Sequence, residues 1–546
     1  MFSTIFTLAG ALPMKVNAVR RELLLVYLLT LGVAVAPLLA QPQTEPSHLK
    51  EPIHITGGLI TGTPTIQWIP GVRLYRGIPY AAPPVGDLRW RSPQPVVPWT
   101  GVRAADHFSS ACMQAPTDTE GNAWRDGLGT VSEDCLYLNV WTPAQTTDMH
   151  LPVMVFIHGG GNRRGAASEN QYDGAYLAHK GVVVVSFNYR MNVFGFLAHP
   201  ELSSESAHHS SGNYALLDQI AALNWVHENI ANFGGDPQNV MIFGHSAGSM
   251  NVSSLLASPL AHGLFQRALM QSGANIGPGI PLGAAEKIGE SFAESVGAHS
   301  IAELRKMSPA ELLKTVPRQM GPIVDGWVLP QDVYSTFAAG KQNDVPLIVG
   351  NVANDTPGPS AGPVKASAVP DYAKQRFGNL ADEYLRLYPA NNDQQAAESE
   401  LAFRSNRGMA DMRRLARWQV KTGKAPVYWY LFTHVSPFPQ GLMWGGEPAN
   451  EWGAYHGSEI VYVFGTFPFQ QWPWRTVDLN LGDVVSSLWI NFAKTGDPNG
   501  AGLPKWPALN PRSDELLIIG DTPMAGKDPF GAALDFQDKL AALQRK

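Results

Sequence analysis

Asn239-Val-Met-Ile-Phe243 runs straight into Gly244-His245-Ser246-Ala247-Gly248, and this junction decides the fold class. The β-branched and aromatic residues of the first five positions read as a strand. The glycines two before and two after the serine let that strand turn sharply into a helix, with Ser246 in a strained backbone conformation at the corner. Its hydroxyl then stands exposed at the head of the helix. Taken alone, a G-x-S-x-G in 546 residues that include 53 glycines is a weak signal.

A second motif upstream gives it weight. Leu151-Pro-Val-Met-Val-Phe-Ile157 reads as a buried strand and ends in His158-Gly159-Gly160-Gly161, whose bare backbone can aim successive N–H groups at one point. The N–H groups of Gly160, Gly161 and Ala247 are the expected oxyanion hole. Residues 72–80, 136–141 and 182–188 read as further strands. Apolar residues at Leu216, Leu217, Ile220, Leu223, Val226 and Ile230 make 216–232 a helix. This alternation predicts an α/β chain with a doubly wound, mostly parallel central sheet, helices on both faces, and ligands at the carboxyl ends of the strands.

A chain 45% hydrophobic and 16% charged can bury a large core, and residues 41–546 are expected to form one elaborated α/β domain. A net charge of -6 without clusters of Lys and Arg argues against nucleic acid as a partner. Residues 23–40 are almost wholly apolar, follow Lys15, Arg20 and Arg21, and lead into Gln41-Pro-Gln-Thr. They fit a signal peptide cut after Ala40, which makes the mature protein secreted or periplasmic, with a membrane anchor as the rival reading. The two cysteines, Cys112 and Cys135, favour a disulfide in an exported chain, against two free buried thiols. No zinc-ligand spacing occurs, and the expected chemistry needs no metal or organic cofactor. The expected partner is a small-molecule ester.

Three longer segments carry a family resemblance. Tyr75-Arg-Gly-Ile-Pro-Tyr-Ala-Ala-Pro-Pro84, Ser132-Glu-Asp-Cys-Leu-Tyr-Leu-Asn-Val-Trp141 and Trp489-Ile-Asn-Phe-Ala-Lys-Thr-Gly-Asp-Pro-Asn499 resemble signatures of the type-B carboxylesterase and cholinesterase-like family of α/β hydrolases. The resemblance implies the α/β-hydrolase fold, an acyl-enzyme mechanism on carboxylic esters, and pairing of Cys112 with Cys135. It also implies the partners that a serine nucleophile needs, because a hydroxyl attacks only when an imidazole takes its proton and a carboxylate orients that imidazole. Gly453-Ala-Tyr-His456-Gly-Ser-Glu459 resembles the family's histidine segment, so His456 is the expected base. The family's acid, usually Glu, stands five residues after the Gly that ends a buried strand, and here Gly350 is followed by Asp355. Glu451 and Glu459 are the alternatives.

Departures from the family pattern bear on substrate. Relatives usually carry an aromatic residue after the three glycines and Glu before the nucleophile, whereas this chain has Asn162-Arg163-Arg164 and His245. These four residues are the expected substrate contacts. Arg grips carboxylates bidentately, so an anionic acyl portion is expected, such as the tricarballylate side chains removed by fumonisin-detoxifying relatives. An amidase or carbamate hydrolase, or a binding protein that has lost catalysis, remain as other readings of the same resemblance.

Overall fold

The computed structural model describes residues 49–544 apart from 64–67, 116–127, 357–363, 445–446 and 511. The expected signal peptide over 1–40 lies outside the described residues. The central sheet has ten strands: β1 (Arg73–Pro79), β2 (Tyr137–Thr142), β3 (Leu151–Ile157), β4 (Val183–Phe187), β5 (Gly235–His245), β6 (Arg267–Gln271), β7 (Leu347–Val352), β8 (Val427–Phe432), β9 (Glu515–Ile519) and β10 (Met524–Lys527). Their order across the sheet is β10-β9-β8-β7-β6-β5-β3-β4-β2-β1. Strands β3 to β9 are mutually parallel, and β1, β2 and β10 add antiparallel edges.

Parallel strands covered on both faces read as near-continuous apolar runs: β3 is one throughout, and β4 and β7 are so up to Ser186 and Asn351. Alternate side chains then supply two separate cores. Val153, Val155, Ile157, Val240 and Ile242 face one core, while Met154, Phe156, Met241 and Phe243 face the other. The first is covered by α1 (Tyr214–Asn229), α2 (Ala247–Ala257) and α3 (Asp393–Thr422) through residues such as Leu216, Leu255 and Met412. The second is covered by α4 (Thr476–Thr495) through Leu481, Leu488 and Trp489. The predicted helix 216–232 is α1, which tightens into a 3₁₀ turn over Ile230–Phe233 and stops at Gly234, whose φ of 77° a side chain would disfavour.

The chain leaves β3 toward β4 on one side and returns to β5 on the other, so the sheet order reverses between β3 and β5. The carboxyl ends of strands at such a switch point leave an open crevice. The three-glycine loop leaves the end of β3 there, and Ser246 leaves the end of β5.

Candidate active site

Ser246 sits at φ 58°, ψ −123° between β5 and α2, a conformation of the kind that costs about 1–3 kcal/mol and persists only where the surroundings hold it. They do so through its N–H, which donates to the Gln271 carbonyl at 2.8 Å, and through the crossing of α2 over β3. A Cβ on Gly248 would run into the Ile157 carbonyl oxygen, and one on Gly244 would come 2.6 Å from the Gly248 carbonyl oxygen. Both motif glycines are therefore demanded by close backbone approach rather than by the turn alone. Gly159 is demanded likewise: its Cβ would stand 3.1 Å from that of Ser246, which places the glycine loop against the serine.

That loop has Gly160 and Gly161 at φ 105° and 67°, and its return is closed by the N–H groups of Arg163 and Arg164, both donating to the Gly160 carbonyl at 3.2 Å. Among the described residues no carbonyl accepts from the N–H of Gly160 or Gly161. As the first residue of α2, Ala247 lacks a helical acceptor for its own. The histidine that opens the loop is scaffold: His158 is buried, stacks on Tyr189 at 4.4 Å, and receives the Tyr189 hydroxyl on its carbonyl at 2.7 Å. Burial pushes its imidazole down to about 4, which keeps it neutral.

His456 reaches the site from the segment between β8 and α4. Its Nε2 lies 2.8 Å from Ser246 Oγ, and its Nδ1 lies 2.5 Å from Asp355 Oδ1. Asp355 follows β7, and its other oxygen accepts from the Asn351 side-chain amide at 2.6 Å. Burial raises the Asp355 carboxyl, but facing His456 and Asn351 outweigh it and hold it below the usual carboxylate range. For His456, burial acts to lower the imidazole and the Asp355 charge raises it, leaving it above its ordinary value. Asn351 was not anticipated from the sequence. Its signal was a polar residue inside the wholly buried strand β7.

Glu459, one of the alternative acids, is buried one turn beyond His456 and hydrogen-bonds neither His456 nor Ser246. Its Oε1 accepts from Gln271 at 3.4 Å, and burial together with the Asp355 charge pushes it up to about 7. Glu451, the other alternative, is exposed.

The four expected substrate contacts separate into two pairs. His245 is buried, its ring 4.6 Å from that of His456, in space left by Gly159 and Gly457, whose Cβ atoms would approach it to 3.5 and 3.1 Å. Burial and the neighbouring His456 drive its imidazole well below the ordinary value. Asn162 is buried too, its side-chain oxygen accepting from Asn251 at 3.0 Å. His245 is thus packed against His456, and Asn162 is tied to α2 through Asn251. Arg163 is half-buried with its guanidinium donating to the Pro317 carbonyl, and Arg164 is exposed on the same loop. Cys112 and Cys135 form a disulfide. Among the described residues no cluster of side chains has the makings of a metal site, and no helix is long and apolar enough to cross a membrane.

A family model described as "Carboxylesterase family" matches residues 50–537. The chain is 36% identical over 540 residues to a "Fumonisin B1 esterase" of Sphingopyxis macrogoltabida, covering 94% of each chain. It is 35% identical over 492 residues to a "Para-nitrobenzyl esterase" of Bacillus subtilis, covering 84% of this chain and 93% of the relative. A solved PNB esterase structure superposes with a TM-score of 0.76 at 32% identity, over 89% of this chain and 99% of that one.

Proposed function

Because this chain belongs to the carboxylesterase family and is a carboxylic ester hydrolase, we propose that Ser246, His456 and Asp355 divide its chemistry among them. The observation that carries this is the unbroken line from Ser246 Oγ through both nitrogens of His456 to Asp355. Ser246 Oγ attacks the ester carbonyl while its proton passes to His456 Nε2. The N–H groups of Gly160, Gly161 and Ala247 receive the oxygen that gains the charge, each such donor contributing about 3 kcal/mol. His456 then gives the proton to the departing alcohol, leaving an acyl group on Ser246. Water, activated by the same imidazole, releases the acid and restores the serine. Asp355 stays ionised throughout and fixes the tautomer of His456. The test is Ser246→Ala together with labelling by an organophosphate: turnover should vanish with an unchanged melting curve, and label should attach to Ser246 alone. A Ser246→Ala protein that keeps most of the parent's turnover ends this reading.

On the acyl side, Arg163 and Arg164 favour esters that carry a free carboxylate. Support comes from their place on the loop that follows the oxyanion glycines, after Asn162, and from the likeness to a fumonisin B1 esterase. A charge-assisted contact in a partly desolvated site contributes about 1.5–3 kcal/mol, or roughly ten- to a hundredfold in kcat/KM. Replacing both arginines by Gln should erase that preference and spare short neutral esters. Equal rates of the parent on neutral and anionic esters of one size would discard it. Export is supported by the apolar leader and by the disulfide. It predicts a mature N-terminus at Gln41, and recovery of unprocessed chain from the cytoplasm alone would refute it.

A further inference from the structure

A cleft of about 200 Å³ opens between α3, the helix Val369–Phe377 and the C-terminal helix α5 (Gly531–Gln544), walled on its fourth side by 276–278. None of Ser246, Asp355, His456 or the glycine loop lines it. Its inner wall is apolar, with Phe377 and Phe403 buried and Leu540 beside them. Its rim carries three guanidinium groups, from Arg376, Arg407 and Arg414, against a single carboxylate, Asp411. Arg414 is already paired, to Asp411 at 2.5 Å and to Asp538 at 2.9 Å. Arg376 lies over the Tyr372 and Phe377 rings at 5.5 and 5.7 Å. Among the described residues neither Arg376 nor Arg407 has an ion-pair partner.

Two unpaired cations above an aromatic wall select for a ligand with both characters. An inorganic anion would satisfy the arginines and leave the half-buried Leu540 side of the apolar wall uncovered; a neutral lipid would cover that wall and leave the guanidinium groups without a counter-charge. We propose that this cleft is a second binding site, apart from the ester site, for a small amphipathic carboxylate: its head meets Arg376 and Arg407, and its aliphatic tail lies on Phe377, Phe403 and Leu540. The volume limits the ligand to a short or medium chain, below the usual range of drug-sized pockets. The proposal does not depend on how Arg163 and Arg164 act.

The test uses whole enzyme whose Ser246 has been blocked with an organophosphate, so that octanoate cannot occupy the ester site, followed by calorimetric titration with octanoate and, separately, octanol. Saturable binding of one octanoate per chain is expected, with octanol bound at least about tenfold more weakly, as the loss of a charge-assisted contact requires. The double variant Arg376→Gln, Arg407→Gln should weaken octanoate by about tenfold or more, while its melting curve and its unblocked turnover of p-nitrophenyl acetate stay those of the parent. Absence of saturable octanoate binding, equal affinity for octanol, or undiminished binding by the double variant would overturn the proposal. So would a parent that binds no octanoate and sediments as a dimer which the double variant splits, because a second copy would then cover the cleft.

Discussion

In the proposed triad, Asp355 is the residue that would set the working pH range. Its charge is what raises His456, against a burial effect of opposite sign. As the proposed base, His456 would work only as neutral imidazole, so activity should fall as the pH drops through a value above that of an ordinary histidine. Asp355→Asn removes the raising charge and leaves the burial. The acidic limb of kcat/KM should therefore move to lower pH while the plateau falls by orders of magnitude, since an amide cannot hold the imidazolium. Glu459 is the weakest of the groups that raise His456, so Glu459→Gln should move the limb in the same direction by less and keep most of the plateau. A pH–rate series on the three proteins checks this. An acidic limb that stays put in Asp355→Asn would mean that the pairing does not set the proton affinity of His456. Sequence pattern alone reached Ser246 and the glycine loop. His456 and Asp355 needed the family resemblance, because a lone His and a lone Asp in a loop carry no periodicity. Asn351 and the buried places of His245 and Asn162 depend on which side chains face inward at a crossing of segments far apart in the chain.

The element that matters most is the crossing of α2 over the end of β3, where helix and strand backbones meet at Gly248 and Ile157. An added methyl at Gly248 would push on carbonyls of β3 and His158 that lead directly into the oxyanion loop. Gly248→Ala should cost about 1–3 kcal/mol of stability through overpacking and also lower kcat, because the strand cannot yield without carrying Gly160 and Gly161 with it. Gly161→Ala provides the contrast. It faces open space, so its cost is the positive φ of 67° alone, about 1–2 kcal/mol. Melting curves and kcat on a neutral ester separate the two cases, and a Gly248→Ala enzyme that turns over like the parent would show that the crossing gives way without moving the loop. Strands β3, β4, β5 and β7 were readable because a strand buried on both faces is an apolar run. Strands β6, β8 and β9 were not singled out. In β6 and β8 the run is mixed with Arg267, Gln271, Tyr428 and Tyr430; Arg267 finds Asn239 and the Lys494 carbonyl, and Gln271 finds Glu459, only once the sheet and its helices are assembled.

At the scale of the whole molecule the C-terminal helix is held by charge as much as by its core. Arg413 on α3 is 1% exposed and reaches Asp535 and Asp538 on α5 at 2.8 and 2.7 Å, with Asp528 at 3.9 Å. Arg414 and Arg417 extend the layer to Asp538 and Asp514. No local pattern reveals such a clamp, because Arg413 and its partners lie more than a hundred residues apart and each reads singly as a solvated charge. Losing Arg413 leaves the buried Asp528 without its facing cation, whereas Asp535 is 61% exposed and Asp538 keeps Arg414 and Arg417. The cost thus falls below the about 3–5 kcal/mol of a fully buried pair. Arg413→Met should therefore lower Tm and open α5 to proteolysis, since a terminal helix that loses its anchor unfolds locally before the sheet does. Well below the transition kcat should stay that of the parent, because the proposed catalytic groups hang on β5, β7 and the segment before α4. Adding Asp528→Asn to Arg413→Met removes the buried carboxylate left facing the lost cation and should recover part of the lost stability. If that double variant melts no higher than Arg413→Met, or if kcat falls along with Tm, α5 is held by the packing of Phe536 and its neighbours rather than by the arginine layer.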